Sequence, residues 1–195
     1  MNYLFVPFTS QESNSELLSM GTLWTSQVAK DPRSKEPPRL LFYNTRQMKP
    51  LNIINNDDTL YVIAHGYEGI PDYIYSLSNP PALWNIPALT AGDLAARLKV
   101  AGLNANHRRI KLYVCNSGGE FSQFAASFKS LMRDSMGYPN IDVYYYNSSV
   151  SVPKEFADGN YHKDGVIFDA QGRVVTTPRF RASEARQRVP QTIER

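Results

Sequence analysis

A chain of 195 residues, 42% of them hydrophobic, is long enough to bury one full core; we read one domain over residues 1–180 and a basic, flexible tail over 181–195. The formal net charge of +3 is unevenly spread, because from Arg173 onward six Arg stand against Glu184 and Glu194, giving that stretch +4 and the remainder −1. The single cysteine excludes an internal disulfide and any multi-cysteine metal site.

Met1 to Phe8 (MNYLFVPF) has no basic start and too short an apolar run for a secretory signal. Nowhere does the chain hold about 18 uncharged apolar residues in a row, so the expectation is a soluble protein with neither an ordinary signal peptide nor a transmembrane segment. Leu4 to Phe8 predicts a first strand, and the Ser/Asn/Gln-rich stretch to Asn14 caps a helix over Glu16 to Val28. Asp31 to Arg39 (DPRSKEPPR) is a loop, and Leu40 to Tyr43 a second strand. Asn55 to Asp58 (NNDD) supplies turn chemistry directly before Thr59 to Ala64 (TLYVIA), a buried strand. Gly66 to Leu89, rich in Gly, Pro, Tyr and Trp, reads as a long loop. Thr90 to Asp93 opens a helix over Leu94 to Val100, which Gly102 and Asn104 stop. Arg109 to Val114 (RIKLYV) is the next buried strand and ends at Cys115. Phe121, Phe124, Ala125, Phe128, Leu131 and Met132 recur at helical spacing, predicting an amphipathic helix to about Met136. Ile141 to Tyr146 is a further strand, and Val166 to Phe168 with Arg173 to Thr176 flank Asp169 to Gly172 as a hairpin. Helical and extended runs alternate, which predicts an α/β sandwich with a largely parallel central sheet.

In open α/β sheets, functional groups gather just beyond the carboxyl ends of the strands. His65 and Cys115 each follow an apolar strand immediately, and each has glycine nearby, at Gly66 and at Gly118 and Gly119. A thiolate is a nucleophile, and an imidazole beside it lowers its pKa or takes its proton, so the pair is a minimal engine for acyl transfer. The backbone N–H groups of Gly66 and Cys115 would hold the oxyanion. His precedes Cys in the chain, which disfavours the papain arrangement and the nucleophile–acid–His order of α/β-hydrolases; Tyr113 to Ser117 also lacks both glycines of the nucleophile elbow. His107 and His162 stand among polar loop residues and read as solvated, and Asp57 and Asp58 are orienting carboxylates only by their proximity to the strand. No His, Asp or Glu cluster has metal-ligand spacing.

These motifs resemble the caspase-like, clan CD cysteine peptidases, and among them the self-cleaving protease domains of large bacterial toxins. Thr59 to Gly66 (TLYVIAHG) looks like the strand and His-Gly motif, Leu89 to Leu98 (LTAGDLAARL) like the helix opening after it, and Ile110 to Ser117 (IKLYVCNS) like the nucleophile strand. Ile141 to Val152 and Gly165 to Val175 (GVIFDAQGRVV) look like the next strand and the terminal β-hairpin flap. The resemblance implies a caspase-like sandwich, with His65 as proton partner, Cys115 as nucleophile, and Gly66 with Cys115 as oxyanion donors. Asn147, Ser148 and Ser149 would border the pocket for the substrate side chain before the scissile bond. In the toxin domains inositol hexakisphosphate binds a basic cleft beside the flap and switches the protease on. The basic residues in the matching regions are Arg108, Arg109, Lys111, Lys154, His162, Lys163, Arg173, Arg179 and Arg181. The toxin domains are embedded in giant chains that they cut, whereas this sequence of 195 residues looks like a free-standing effector. The expectation is delivery by a specialised bacterial secretion system and action on a protein or peptide substrate in the host cytosol.

Two other classes fit the same residues. A Cys-His deamidase or transacylase would use the same pair, and a pseudoprotease would keep the basic flap as an anion-binding module around an inert Cys115. Nucleic acid is disfavoured as a partner, because no aromatic-basic signature of a known module is present.

Overall fold

The apolar runs form the middle of one sheet. The computed structural model describes residues 1–12, 15–33, 35–44, 49–67, 69–78, 86–115, 121–168 and 174–190. In chain order the elements are β1 (Asn2–Val6), α1 (Ser15–Ala29), β2 (Arg39–Phe42), β3 (Thr59–Tyr67), β4 (Ile70–Tyr75), β5 (Ala88–Leu89), α2 (Ala91–Val100), β6 (Arg109–Cys115), α3 (Phe121–Asp134), β7 (Asp142–Tyr146), β8 (Ser149–Glu155), β9 (Tyr161–Phe168), β10 (Val174–Arg181), a 3-10 turn (Ala182–Ala185) and β11 (Arg186–Arg188). The architecture is mixed α/β, with a mostly parallel central sheet flanked by three helices.

That sheet runs β11-β7-β6-β3-β1-β2, with β4 added to β3 and β5 to β4. The β1–β2, β1–β3, β3–β6 and β6–β7 pairs are parallel; β11, β4 and β5 join antiparallel. Strands covered on both faces are apolar throughout, and Leu60 to Ala64 and Ile110, Leu112 and Val114 are buried accordingly. Trp24 of α1 meets Tyr61 of β3 and Tyr113 of β6 edge-on, at ring centroids 5.3 and 4.6 Å apart, which fixes α1 on the face carrying Tyr61. Thr90 and Asp93 cap α2 reciprocally: Thr90 Oγ1 accepts from the Asp93 N–H at 3.1 Å and Asp93 Oδ2 from the Thr90 N–H at 3.0 Å. The stripe foreseen on α3 buries Phe121, Phe124, Ala125, Phe128 and Met132, each large side chain contributing about 1.5–3 kcal/mol of transfer free energy.

A second, antiparallel sheet follows in the order β10-β9-β8. β9 and β10 pair antiparallel, in register Val174↔Phe168 and Val175↔Ile167, as the foreseen hairpin requires, with its turn at 169–172 outside the described residues and its strands longer than the sequence suggests. Gly165 on β9 is required by packing: a Cβ there would lie 2.2 Å from the Phe180 ring across the pair. Prolines hid two other strands. Pro153 of β8 sits at a break in register, where no N–H is needed, and Pro71 of β4 lies in the segment read as loop. Residues 66–89 thus hold β4 and β5 rather than loop alone.

The tail expected from 181 also differs. Ala182–Ala185 turn, Arg186–Arg188 pair with β7, and the Val189 N–H donates to Val143 O at 2.9 Å. Lys129 of α3, itself buried, donates from Nζ to Val189 O at 3.0 Å and Pro190 O at 3.1 Å. Backbone pairing and a buried ammonium hold this segment, and neither is visible in its composition.

Candidate functional site

β3 and β6 lie side by side and parallel from Leu60↔Ile110 onward, and the pairing ends with His65 opposite Cys115. Neighbouring strands are about 4.8 Å apart, so two residues separated by 50 positions in sequence have adjacent backbones at the carboxyl end of the sheet. Gly66 follows at the point where the β3–β4 register shifts, between His65↔Tyr75 and Tyr67↔Ile70.

His65 is 8% exposed. Its Nε2 makes no hydrogen bond and lies 3.5 Å from Oε1 of Glu16, in the first turn of α1. Burial pushes the imidazole pKa down, and the Glu16 charge opposes that shift. The other carboxylate oxygen of Glu16 accepts the Ser78 N–H at 3.1 Å, so one side chain touches the histidine and the loop after β4. Tyr67 and Tyr75 stack edge-on at 4.7 Å, and the Tyr67 hydroxyl donates to Leu77 O. Burial pushes Tyr67 up to about 12 and raises Tyr75 as well, so both stay neutral.

Sequence reasoning missed Glu16, 49 positions before His65, where it resembles any acid at a helix N-terminus. The carboxylates it named are elsewhere. Asp58 accepts the Asn55 N–H at 2.9 Å and pairs with the Met1 amino group, and Asp57 pairs with Arg108 at 3.3 Å, all before β3 begins. Seven residues of strand, roughly 23 Å, separate Asp58 from His65. His107 is also corrected: it is wholly buried, with Nδ1 3.2 Å from Asn55 O and Nε2 2.9 Å from Arg109 O. His162 pairs with Asp158 at 2.9 Å.

Asn147 and Ser148 connect β7 to β8, which Ser149 opens. The β6–β7 pairing ends at Lys111↔Tyr144, and the chain leaves the central sheet at Asn147 and Ser148 to enter β8 of the second sheet. Asn147 is exposed and its N–H donates to Ala185 O at 3.1 Å; Ser149 is buried; the Ser148 hydroxyl oxygen is buried and unpartnered, as is that of Ser76 after β4.

The basic residues divide into three groups. Lys111 of β6 and Lys163 of β9 both donate to the Tyr61 hydroxyl, at 3.1 and 3.2 Å, and both ammonium groups lie within 5.0 Å of its ring. Burial opposes ionisation of Tyr61, but the two lysines outweigh it and its pKa is lowered. Burial, Lys163 and Arg186 all depress Lys111. Neither lysine has a carboxylate within ion-pair distance among the described residues. A cavity of about 150 Å³ opens beside Tyr61 and Lys163, lined also by the cations Lys35 and Arg181 and by the carboxylates Asp31 and Glu36. The second group is neutralised: Lys154 pairs with Asp164 at 3.0 Å and Arg181 with Asp158 at 2.7 Å. Arg108 and the exposed Arg109 form the third, at the amino end of β6. Arg179 belongs to β10, and Arg173 lies outside the described residues.

Among the described residues no group of three or more His, Cys, Asp or Glu could hold a metal ion, and no helix is long and apolar enough to cross a membrane. No protein-family model matches this sequence, and no curated protein matches it.

Proposed function

We propose that this chain is a caspase-like cysteine endopeptidase in which Cys115 is the nucleophile and His65 its proton partner. The observation that carries the reading is the register, which sets His65 opposite Cys115 at the carboxyl ends of adjacent parallel strands. The Cys115 thiolate attacks the scissile carbonyl, and the imidazolium of His65 gives its proton to the leaving amine. Water then attacks the thioester, His65 takes the proton, and the thiolate is released. The break in register at Gly66 frees its backbone for an oxyanion, which the N–H of Cys115 would share. Ser148, just past the carboxyl end of β7, would bind the residue before the scissile bond, with Asn147 and Ser149 flanking it.

The reading extends to an anionic activator of the inositol hexakisphosphate type, supported by two lysines that share one tyrosine hydroxyl beside an open cavity. Tyr61 precedes His65 by four residues on β3, and Lys111 precedes Cys115 by four on β6, so about 13 Å of the same two strands joins the cations to the dyad. A ligand carrying several phosphates would relieve the lysine repulsion and brace both strands. Such an activator belongs to a eukaryotic cytosol, which fits a bacterial effector acting on host protein.

A thiol-directed peptidyl probe tests this. With inositol hexakisphosphate present, wild-type protein should label at Cys115, Cys115→Ala should not label, and His65→Ala should label on the order of 1,000-fold more slowly. Lys163→Ala should lose the stimulation while keeping basal labelling. Equal labelling of wild type and Cys115→Ala would overturn the peptidase. Labelling with a +1 Da product instead of a cut chain would replace it by a deamidase.

A further inference from the structure

Glu16 is the one carboxylate among the described residues within ion-pair distance of His65, and the ring nitrogen it approaches is buried and makes no hydrogen bond. We infer that Glu16 is the positioning residue of the dyad: it orients the His65 ring, stabilises its imidazolium, and ties that state to the loop after β4 through Ser78. The inference rests on the peptidase reading.

Three facts carry it. First, α1 is held over this face independently of Glu16, by Leu17, Gly21 and Trp24 in the core, so the carboxylate is delivered by a fixed element. A Cβ on Gly21 would come within 2.7 Å of Leu40, which shows how closely α1 lies against β2. Second, the two carboxylate oxygens are divided, with Oε1 towards His65 and Oε2 on the Ser78 N–H, so the side chain cannot turn from one without leaving the other. Third, among the described residues no other carboxylate lies within ion-pair distance of His65, and Tyr67 on the same strand and Tyr75, its register partner on β4, stay neutral.

A buried imidazole resists protonation, while a thiolate beside it needs the imidazolium. A carboxylate at 3.5 Å, about 39% exposed and so only partly desolvated, offsets part of that penalty without locking the ring in a tight pair.

The sequence has one cysteine, so iodoacetamide alkylation followed by intact mass reads Cys115 alone. The full chain is compared as wild type, Glu16→Gln, Glu16→Asp, Glu16→Ala and His65→Ala across pH 5 to 9. Glu16→Gln keeps an oxygen for Ser78 and removes only the charge. Its alkylation curve should move towards higher pH by about one unit, which is about tenfold slower at a given pH on the acid limb. Glu16→Asp should recover part of the shift, and Glu16→Ala should add a loss of probe labelling from the unheld loop. A Glu16→Gln curve lying on the wild-type curve, with His65→Ala displaced from both, would overturn the role of Glu16 and leave the dyad standing. A His65→Ala curve lying on the wild-type curve would overturn the dyad and this assignment with it.

Discussion

Two buried histidines stand at opposite ends of the same pair of strands, and they are not alike. At the amino end, His107 has both ring nitrogens on main-chain carbonyls, Asn55 O before β3 and Arg109 O at the start of β6. At the carboxyl end, His65 has a buried nitrogen without a hydrogen bond, a carboxylate at 3.5 Å and Cys115 across the strand pair. The first is a fastener, since its polar atoms are spent on holding two turns together. The second keeps hydrogen-bonding capacity in reserve, which costs stability and is characteristic of a place where another molecule must be met.

The largest expected contrast is in what each histidine supports. His65→Ala should cut probe labelling on the order of 1,000-fold while costing less stability than His107→Ala, since the Nε2 it removes makes no hydrogen bond. His107→Ala should do the reverse. It opens a cavity and strands the carbonyl to which the single N–H of the neutral ring donates, which should cost about 2–4 kcal/mol in urea unfolding, while the folded fraction labels normally. Equal stability losses in the two variants would erase the distinction.

The same contrast shows which parts of the molecule were legible in the sequence. β3, β6 and the three helices follow from periodicity, because strands covered on both faces must be apolar throughout and α3 must present one stripe to the core. His65 and Cys115 were singled out because each follows an apolar run directly; that their backbones are adjacent needed the fold. Other features were settled by tertiary contact and left no local trace. His107 lies in a polar run, and the carbonyl that buries it belongs to Asn55, 52 positions away. Glu16 reaches His65 only because Trp24 and Leu17 seat α1 on the sheet. Asp58 is near His65 in sequence, but an extended strand converts seven residues into the full height of the sheet.

A smaller effect separates the histidines from the rest of the charge. Burial lowers the folded-state pKa of both His65 and His107, with Glu16 opposing it at one end and the two carbonyls at the other. In the unfolded chain each titrates near 6.5, so as pH falls below that value the unfolded state takes up protons first and the folded state loses stability. Above about pH 7 both are neutral in both states and the contribution is flat. Melting temperature should therefore fall between pH 6.5 and 5, and His107→Gln should flatten part of that slope. A melting temperature that rises on acidification would reverse the assignment.

The smallest effect is expected at the amino end, beside the strongest fastener. Arg108 follows His107 directly and pairs with Asp57 at 3.3 Å, but the two side chains are 64% and 82% exposed. In water a pair at that separation gains little and each partner gives up side-chain freedom to hold it. Arg108→Ala should thus change the unfolding free energy by less than about 0.5 kcal/mol, against several for the adjacent His107→Ala. If Arg108 also serves the anion site, stimulation of labelling by the polyphosphate will fall in this variant although stability does not. If only Lys111 and Lys163 do, it will be unchanged, because Tyr61 lies two residues into β3, away from the turn where Arg108 and Asp57 meet. Measuring stability and stimulation on the one variant therefore separates the charge that holds a ligand from the charge that only decorates the sheet's amino end.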